Sequence, residues 1–258
     1  MNISKPDEGM ANRYVSIWFR YLSTDWFSLR QPQLKSLPFV LRTPVHGRMI
    51  VTAVNAVAQS KGIHIGMTLA DARALHPELE IHDDKPELID KLLARIAQWC
   101  IRFTPLVATD PPDGLLLDVT GCTHLWGGDD AYIKDITLRL QHRGYSVRLA
   151  MADTAALAWG VARYGKEPLV VNASTHLNTL MRLPPEALRP EPDVVERLHK
   201  LGLHRIEQFM NMPRSALRRR FGNHFIQRIN MALGKEVELI KPIVISEPYQ
   251  ERLPCLEP

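Results

Sequence analysis

Residues 106–121 read LVATDPPDGLLLDVTG, and this stretch constrains the fold more than any other. Pro111, Pro112 and Gly114 punctuate a turn. Leu115, Leu116, Leu117 and Val119 then form an apolar run too short for a helix, which predicts a buried strand. With 106–110 ahead of the turn, the unit is strand, turn, strand, and so a hairpin. Asp118 is set inside the run and Asp113 stands at its mouth. A carboxylate in such surroundings requires a partner. Two readings are open from these residues alone: half of a metal site, or a structural acid held by hydrogen bonds.

The flanking segments supply the rest of a sheet. YVSIWF (14–19) has strand character, within a first segment RYVSIWFRYLST (13–24) that contains no acid. RMIVTAVNAVA (48–58) starts extended and turns helical near Asn55, and TLADARALHP carries Leu69, Ala72 and Leu75 at helical spacing up to Pro77. LEIHDD is a short strand. PELIDKLLARIAQWCIRF (86–103) is an amphipathic helix with Leu88, Leu92, Ile96 and Cys100 on one face, widened by Leu93 and Trp99. DDAYIKDITLRLQHRG (129–144) starts with acids and ends with Arg-Gly, as a capped helix should. YSVRLAMA (145–152) reads as a strand and TAALAWGVARYG (154–165) as an Ala-rich helix. The order implies an α+β sheet with helices packed on one face. From about Leu169 the texture becomes short helices broken by Pro and Gly. The last residues, 235–258, are rich in Pro and Glu and read as a tether.

Composition narrows the function class. The 258 residues are 45% apolar and 23% charged, with a net charge of +4, as for an ordinary water-soluble chain with mild basic excess. Cys100, Cys122 and Cys255 are odd in number and widely spaced, which fits neither a disulfide framework nor a metal clip. No signal core and no apolar run of membrane-spanning length occurs, so a cytoplasmic location without membrane contact is expected. The basic excess is concentrated. Between Arg197 and Arg228 stand Lys200, Arg205, Arg214, Arg218, Arg219 and Arg220, with Glu207 as the acid among them. On short helices such a run suits backbone contacts to DNA, and a solvated surface is the plain alternative. The tryptophans read as core fillers. Asp110 and Asp113, bracketing Pro-Pro, read as acids that solvate a turn, and Asp118 as a structural acid satisfied by nearby N–H groups.

Four blocks in order resemble the Y-family (translesion) DNA polymerases. PPDGLLLDV (111–119) is similar to that family's Ser-Ile-Asp-Glu-Ala-Tyr/Phe-Leu-Asp-Val signature. IVTAVNAVAQSKGIHIGM (50–67) resembles its fingers segment, LAMADTAALAWGVARYGKEP (149–168) its Gly-Ile-Ala-x-Asn-Lys segment, and LHKLGLHRIEQFMNMPRSALRRRFG (198–222) its thumb unit. The resemblance implies a right-hand polymerase architecture. Its parts are a disordered N-terminus (1–12), a palm strand and start of the fingers (13–40), fingers (41–80), palm (81–168), a helical thumb with a helix-hairpin-helix-like unit (169–234) and a tether (235–258), the family's little-finger domain being absent.

The departures from the family carry the functional expectation. Two-metal phosphoryl transfer needs ions about 3.5–4 Å apart, held by carboxylates. By the resemblance these come from an Asp on the first strand and an Asp-Glu pair at the hairpin. Here the pair is Asp113-Gly114, and Phe19 or a neighbour stands in place of the first Asp. Asp118 lies roughly 13 Å further along the strand, too far to share the ions. The family's nucleotide-gripping Tyr and Arg fall on Ala56 and Gln59, and its Asn-Lys on Thr154-Ala155, while Lys166 matches a triphosphate-facing lysine. The resemblance is therefore to the catalytically degenerate ImuB type, a non-catalytic component of bacterial damage tolerance. It implies no cofactor, with Asp113 a vestigial metal position. It also implies DNA contact through Lys200, Gly202, Arg205, Arg214, Arg218, Arg219 and Arg220, the Gly202 hairpin offering amides to a phosphate. The implied partners are DNA, a RecA-like mutasome protein, a replicative-type polymerase and the sliding clamp, at the nucleoid. Two rivals remain: an active error-prone polymerase that recruits Asp110 and Mg²⁺, and a protein-interaction adaptor without DNA binding.

Overall fold

A computed structural model describes residues 12–166 and 169–244. The N-terminal segment expected to be disordered, the end of the tether and Cys255 lie outside the described residues. Strand β1 (Tyr14–Phe19) is followed by helix α1 (Leu22–Arg30), then β2 (Phe39–Val45) and β3 (Arg48–Val54). Next come α2 (Ala56–Ser60), α3 (Leu69–Leu75), β4 (Glu80–Asp83), α4 (Pro86–Cys100), β5 (Leu106–Asp110) and β6 (Gly114–Asp118). Helix α5 (Asp129–His142), β7 (Val147–Ala152) and α6 (Ala155–Tyr164) complete the first half. The remainder is helical: α7 (Ala173–Arg182), α8 (Pro192–Lys200), α9 (Glu207–Met210) and α10 (Arg214–Ala232). The first strand ends at Phe19, and residues 22–24, the end of the first segment 13–24, already belong to helix α1.

The palm is a four-stranded sheet in the order β5-β6-β1-β7, antiparallel throughout, and the hairpin expected at 106–121 is its β5–β6 edge. Val15 faces Leu117, Ile17 faces Leu115 and Trp18 faces Gly114. Because side chains alternate along a strand, Val15, Ile17, Phe19, Leu115 and Leu117 point to one face. There they pack with Leu92, Leu93 and Ile96 of α4 and Tyr132, Ile133 and Ile136 of α5. Ala150 and Ala152 point to the other, under Leu157, Val161 and the thumb residues Leu198, Phe209, Phe225 and Ile229. Helices thus cover both faces, not one. The cause lies in the hairpin: Leu115, Leu116 and Leu117 are all buried, and an unbroken apolar run is stable only where neither face meets water.

A second sheet, β3-β2-β4, forms the fingers with its own core of Val40, Val51, Ala58, Ile63 and Leu69. Asn55 joins strand to helix here. Its side chain caps α2 by accepting from the Ala58 N–H at 2.8 Å and donates to the Leu37 carbonyl at 2.8 Å. Across the palm, Arg13 is a partly buried hub that links the start of β1 to the start of α5 and the segments after β7. It pairs with Asp129 and Asp153 and donates to the Val171 carbonyl at 2.9 Å.

Candidate functional site

The turn between β5 and β6 places Asp113 beside the end of β1, where the Phe19 N–H donates to the Asp113 carbonyl at 2.8 Å. The residue that faces Gly114 across the sheet is Trp18, while Phe19 is fully buried on the opposite face. Of the first-strand positions expected there, Phe19 or a neighbour, Trp18 is the one beside Asp113. Its indole Nε1 donates to Asp113 Oδ2 at 2.8 Å. The other oxygen, Oδ1, accepts from Nη2 of Arg163 at 2.7 Å. The same Nη2 lies 3.3 Å from Asp110 Oδ2, which also accepts from Trp159 Nε1 at 2.7 Å. Both acids thus accept from donors on protein side chains.

Arg163 and Trp159 are four residues apart on α6 and so share one helix face. The guanidinium stacks on the Trp159 ring at 4.0 Å from its centroid and is only 8% exposed. Beyond it the charges continue. Arg189 lies 3.8 Å from Asp110 and bonds Glu238 at 2.6 Å, and Glu238 accepts from Arg228 at 3.3 Å. Burial first, and Arg189 second, hold the Arg228 guanidinium below its usual range, with Glu238 opposing. Asp110 is therefore an inward-facing ion-pair member, not a solvated turn acid, because α6 brings two donors onto it. Trp18 and Trp159 are correspondingly hydrogen-bond donors to carboxylates as well as packing groups. Arg228, counted above with the basic run, belongs to this interior network.

Divalent ions do not fit this arrangement. No group of three or more metal-ligating side chains occurs among the described residues. A Cβ on Gly114, the position of the family's Glu, would lie 2.9 Å from Arg163 Nη2 and 2.9 Å from Asp110 Oδ2. Asp118, by contrast, accepts the Thr120 N–H at 3.0 Å and serves the strand end. Between this turn and the fingers lies a cavity of about 420 Å³, lined by residues including Trp18, Arg20, Tyr21, Gln59 and Asp113. Gln59 accepts from the Tyr21 hydroxyl at 2.7 Å and from Arg20 at 3.4 Å. Lys166 is exposed beyond the end of α6, and the cation of that helix that reaches the acids is Arg163. The sequence signal for Arg163 was present: a charged residue one turn after a Trp in an otherwise Ala-rich helix.

On the thumb, Gly202 adopts φ +74° in the turn after α8. Its N–H donates to His199 O at 2.9 Å, and those of His204 and Arg205 donate to the Gln208 side chain at 2.7 and 2.8 Å. The Ile206 N–H donates to Leu183 O at 3.0 Å. The amides expected to meet a phosphate are thus satisfied within the chain, because Gln208 folds back over the turn. Lys200 pairs with Glu196 at 2.6 Å, which lowers the Glu196 carboxyl, and Arg205 approaches Glu207 at 3.6 Å. Arg214 is half-buried on the first turn of α10, and Arg218, Arg219 and Arg220 follow, exposed, before the break at Gly222 (φ +87°). The structure brings these last three together as a solvent-facing basic cluster.

Residues 17–163, more than half of the chain, match the impB/mucB/samB family. The chain belongs to that family. It is 39% identical over 197 residues to Protein ImuB of Caulobacter vibrioides, covering 76% of this chain and 43% of that protein. It is 28% identical to DNA polymerase IV 2 of Mesorhizobium japonicum, covering 75% and 46%. The chain thus spans less than half the length of these curated relatives. Among solved structures it resembles DinB from Sulfolobus solfataricus, with a TM-score of 0.73 over 89% of this chain and 69% of that one. It also matches an insertion ternary complex of Dbh DNA polymerase, with a TM-score of 0.75 over the same shares, both at 18% identity. An impB/mucB/samB chain with this backbone has the Y-family polymerase fold.

Proposed function

We propose that this protein is a non-catalytic Y-family member that binds DNA and scaffolds a translesion synthesis complex in the damage-tolerance (SOS) response. The observation that carries the reading is Trp18, whose indole occupies Asp113 where the family's resemblance calls for a second carboxylate. Trp18 and Arg163 each take an acceptor site on one oxygen of Asp113, and the Arg163 guanidinium sets a positive charge where a metal ion would have to approach. The DNA contact rests on Arg218, Arg219 and Arg220, which extend into solvent on α10. Such contacts track phosphates without reading bases, and their affinity falls steeply with salt. The resemblance to the ImuB type supplies the RecA-like protein, the replicative-type polymerase and the sliding clamp as partners, and a cytoplasmic, nucleoid-associated location. No helix among the described residues is long and apolar enough to cross a membrane.

The test is primer extension with Mg²⁺ or Mn²⁺. No extension is expected, and synthesis that Asp113→Ala abolishes would defeat the proposal. The adaptor reading without DNA binding is favoured by one observation, the filled amides of the Gly202 turn. Gel shifts of primed DNA across a salt series separate the two. The scaffold reading expects a salt slope that becomes shallower in the Arg218/Arg219/Arg220→Ala variant, and the adaptor reading expects neither.

A further inference from the structure

We infer that Arg163 is the resident cation of this palm, excluding divalent ions independently of the missing acids. The inference rests on the non-catalytic reading and adds to it a specific residue. Loss of the acids on β1 and at residue 114 would by itself leave Asp113 and Asp110 as two carboxylates near one another. Two such acids repel unless a cation lies between them. Arg163 supplies it through a single Nη2, 2.7 Å from Asp113 and 3.3 Å from Asp110. The guanidinium is not a mobile surface group that a metal could displace at little cost. It is 8% exposed, stacked on Trp159, and carried by a helix whose Ala156, Leu157, Ala158 and Val161 are buried in the core.

A steric argument points the same way. The space a side chain at 114 would enter is already taken by Arg163 Nη2 and Asp110 Oδ2, each 2.9 Å from the built Cβ. Gly114 and Arg163 are therefore matched, since a side chain at 114 requires the ends of Arg163 and Asp110 to shift. Restoring the family's acids while Arg163 remains brings back the ligands without the vacancy.

Mn²⁺ binding measured by the electron paramagnetic resonance of the free ion tests this on four forms of the full chain. These are the native protein, Arg163→Gln, Trp18→Asp/Gly114→Glu, and that pair combined with Arg163→Gln. The expected result is that withdrawing Arg163 tightens Mn²⁺ binding about tenfold or more in the acid-restored background, since a cation at contact distance opposes a second one. Equal affinity with and without Arg163 in that background would overturn the inference. A measurement on the native chain stands beside these variants. The Nε–Hε resonance of Arg163 should stay sharp in millimolar Mn²⁺, and its selective broadening relative to exposed arginines would place metal beside it and refute the exclusion. Failure of this inference leaves the primer-extension result untouched, so the two readings fail separately.

Discussion

Replacing Asp113 by Asn gives opposite signs for a vestigial ligand and for a structural acid. In an acid cluster built for metals but lacking them, like charges repel, and neutralising one relieves the fold. Here Asp113 has no such excess, because Arg163 lies 2.7 Å from Oδ1 and Trp18 Nε1 lies 2.8 Å from Oδ2. A hydrogen bond to a charged group contributes about 1.5–3 kcal/mol. The Asp113 side chain is 34% exposed and Arg163 keeps Asp110, which moves the cost to the lower end, roughly 1–2 kcal/mol. Asp113→Ala also strands the Trp18 N–H, adding about 1–3 kcal/mol. For a chain of this size each kcal/mol corresponds to about 2–4 °C in Tm. Urea unfolding and calorimetry at neutral pH with a chelator present measure both variants. The expected order is native, then Asn, then Ala. An Asp113→Asn variant as stable as the native chain, or more so, would refute the ion-pair account of this turn.

Burial drives the Asp25 carboxyl up to about 6 from 3.8, against the opposing bonds from Ser146. A raised acid favours folding while protonated, so its contribution is full below pH 3.8 and is lost as pH rises through about 6. The gap corresponds to roughly 3 kcal/mol at most, and urea midpoints from pH 4 to 7 should show a shallower decline for Asp25→Asn than for the native chain. Cys100 is fully buried and its thiol is pushed up to about 12, so in a Cys255→Ser background a thiol reagent should modify half-buried Cys122 first, and faster labelling of Cys100 would contradict the packing of α4 on the sheet. Gly222 has φ +87° and ψ 171° with nothing near a built Cβ, so Gly222→Ala should cost roughly 1–3 kcal/mol through the backbone alone, read by thermal unfolding.

The hairpin shows how far sequence reaches in this chain and where it stops. Leu115, Leu116 and Leu117 declare a strand covered on both faces, and the structure covers both, yet attention to local order alone suggested a one-sided sheet. The short α1 carries no clear sequence signal, because LSTDWFSLR mixes Ser, Thr and aromatics of little helical preference. Trp18 and Phe19 could not be told apart by alignment to a missing Asp, since one residue of register moves a side chain to the opposite face. Only the pairing of Trp18 with Gly114 resolves it. For Arg163 the sequence marks an unusual charge on an Ala-rich helix but not its partners. It sits about 50 residues beyond the acids it neutralises, and nothing in local pattern links α6 to the β5–β6 turn.

On the proposed reading, the palm has not simply lost its ligands. Deleting carboxylates from a metal site would leave a hole and an unbalanced charge, both of which cost stability. In this chain the hole is filled by the indole of Trp18, and the charge on Asp113 and Asp110 is met by Arg163, with Trp159 orienting the pair. The network extends to the thumb through Asp110, Arg189, Glu238 and Arg228, so the residues around Asp113 also tie the palm to the segment that follows α10. A polymerase active site must open to substrate ions, whereas a scaffold gains from a palm whose charges are satisfied internally. The alternation of acid and arginine from Asp113 to Arg228 is what the proposed scaffold reading expects.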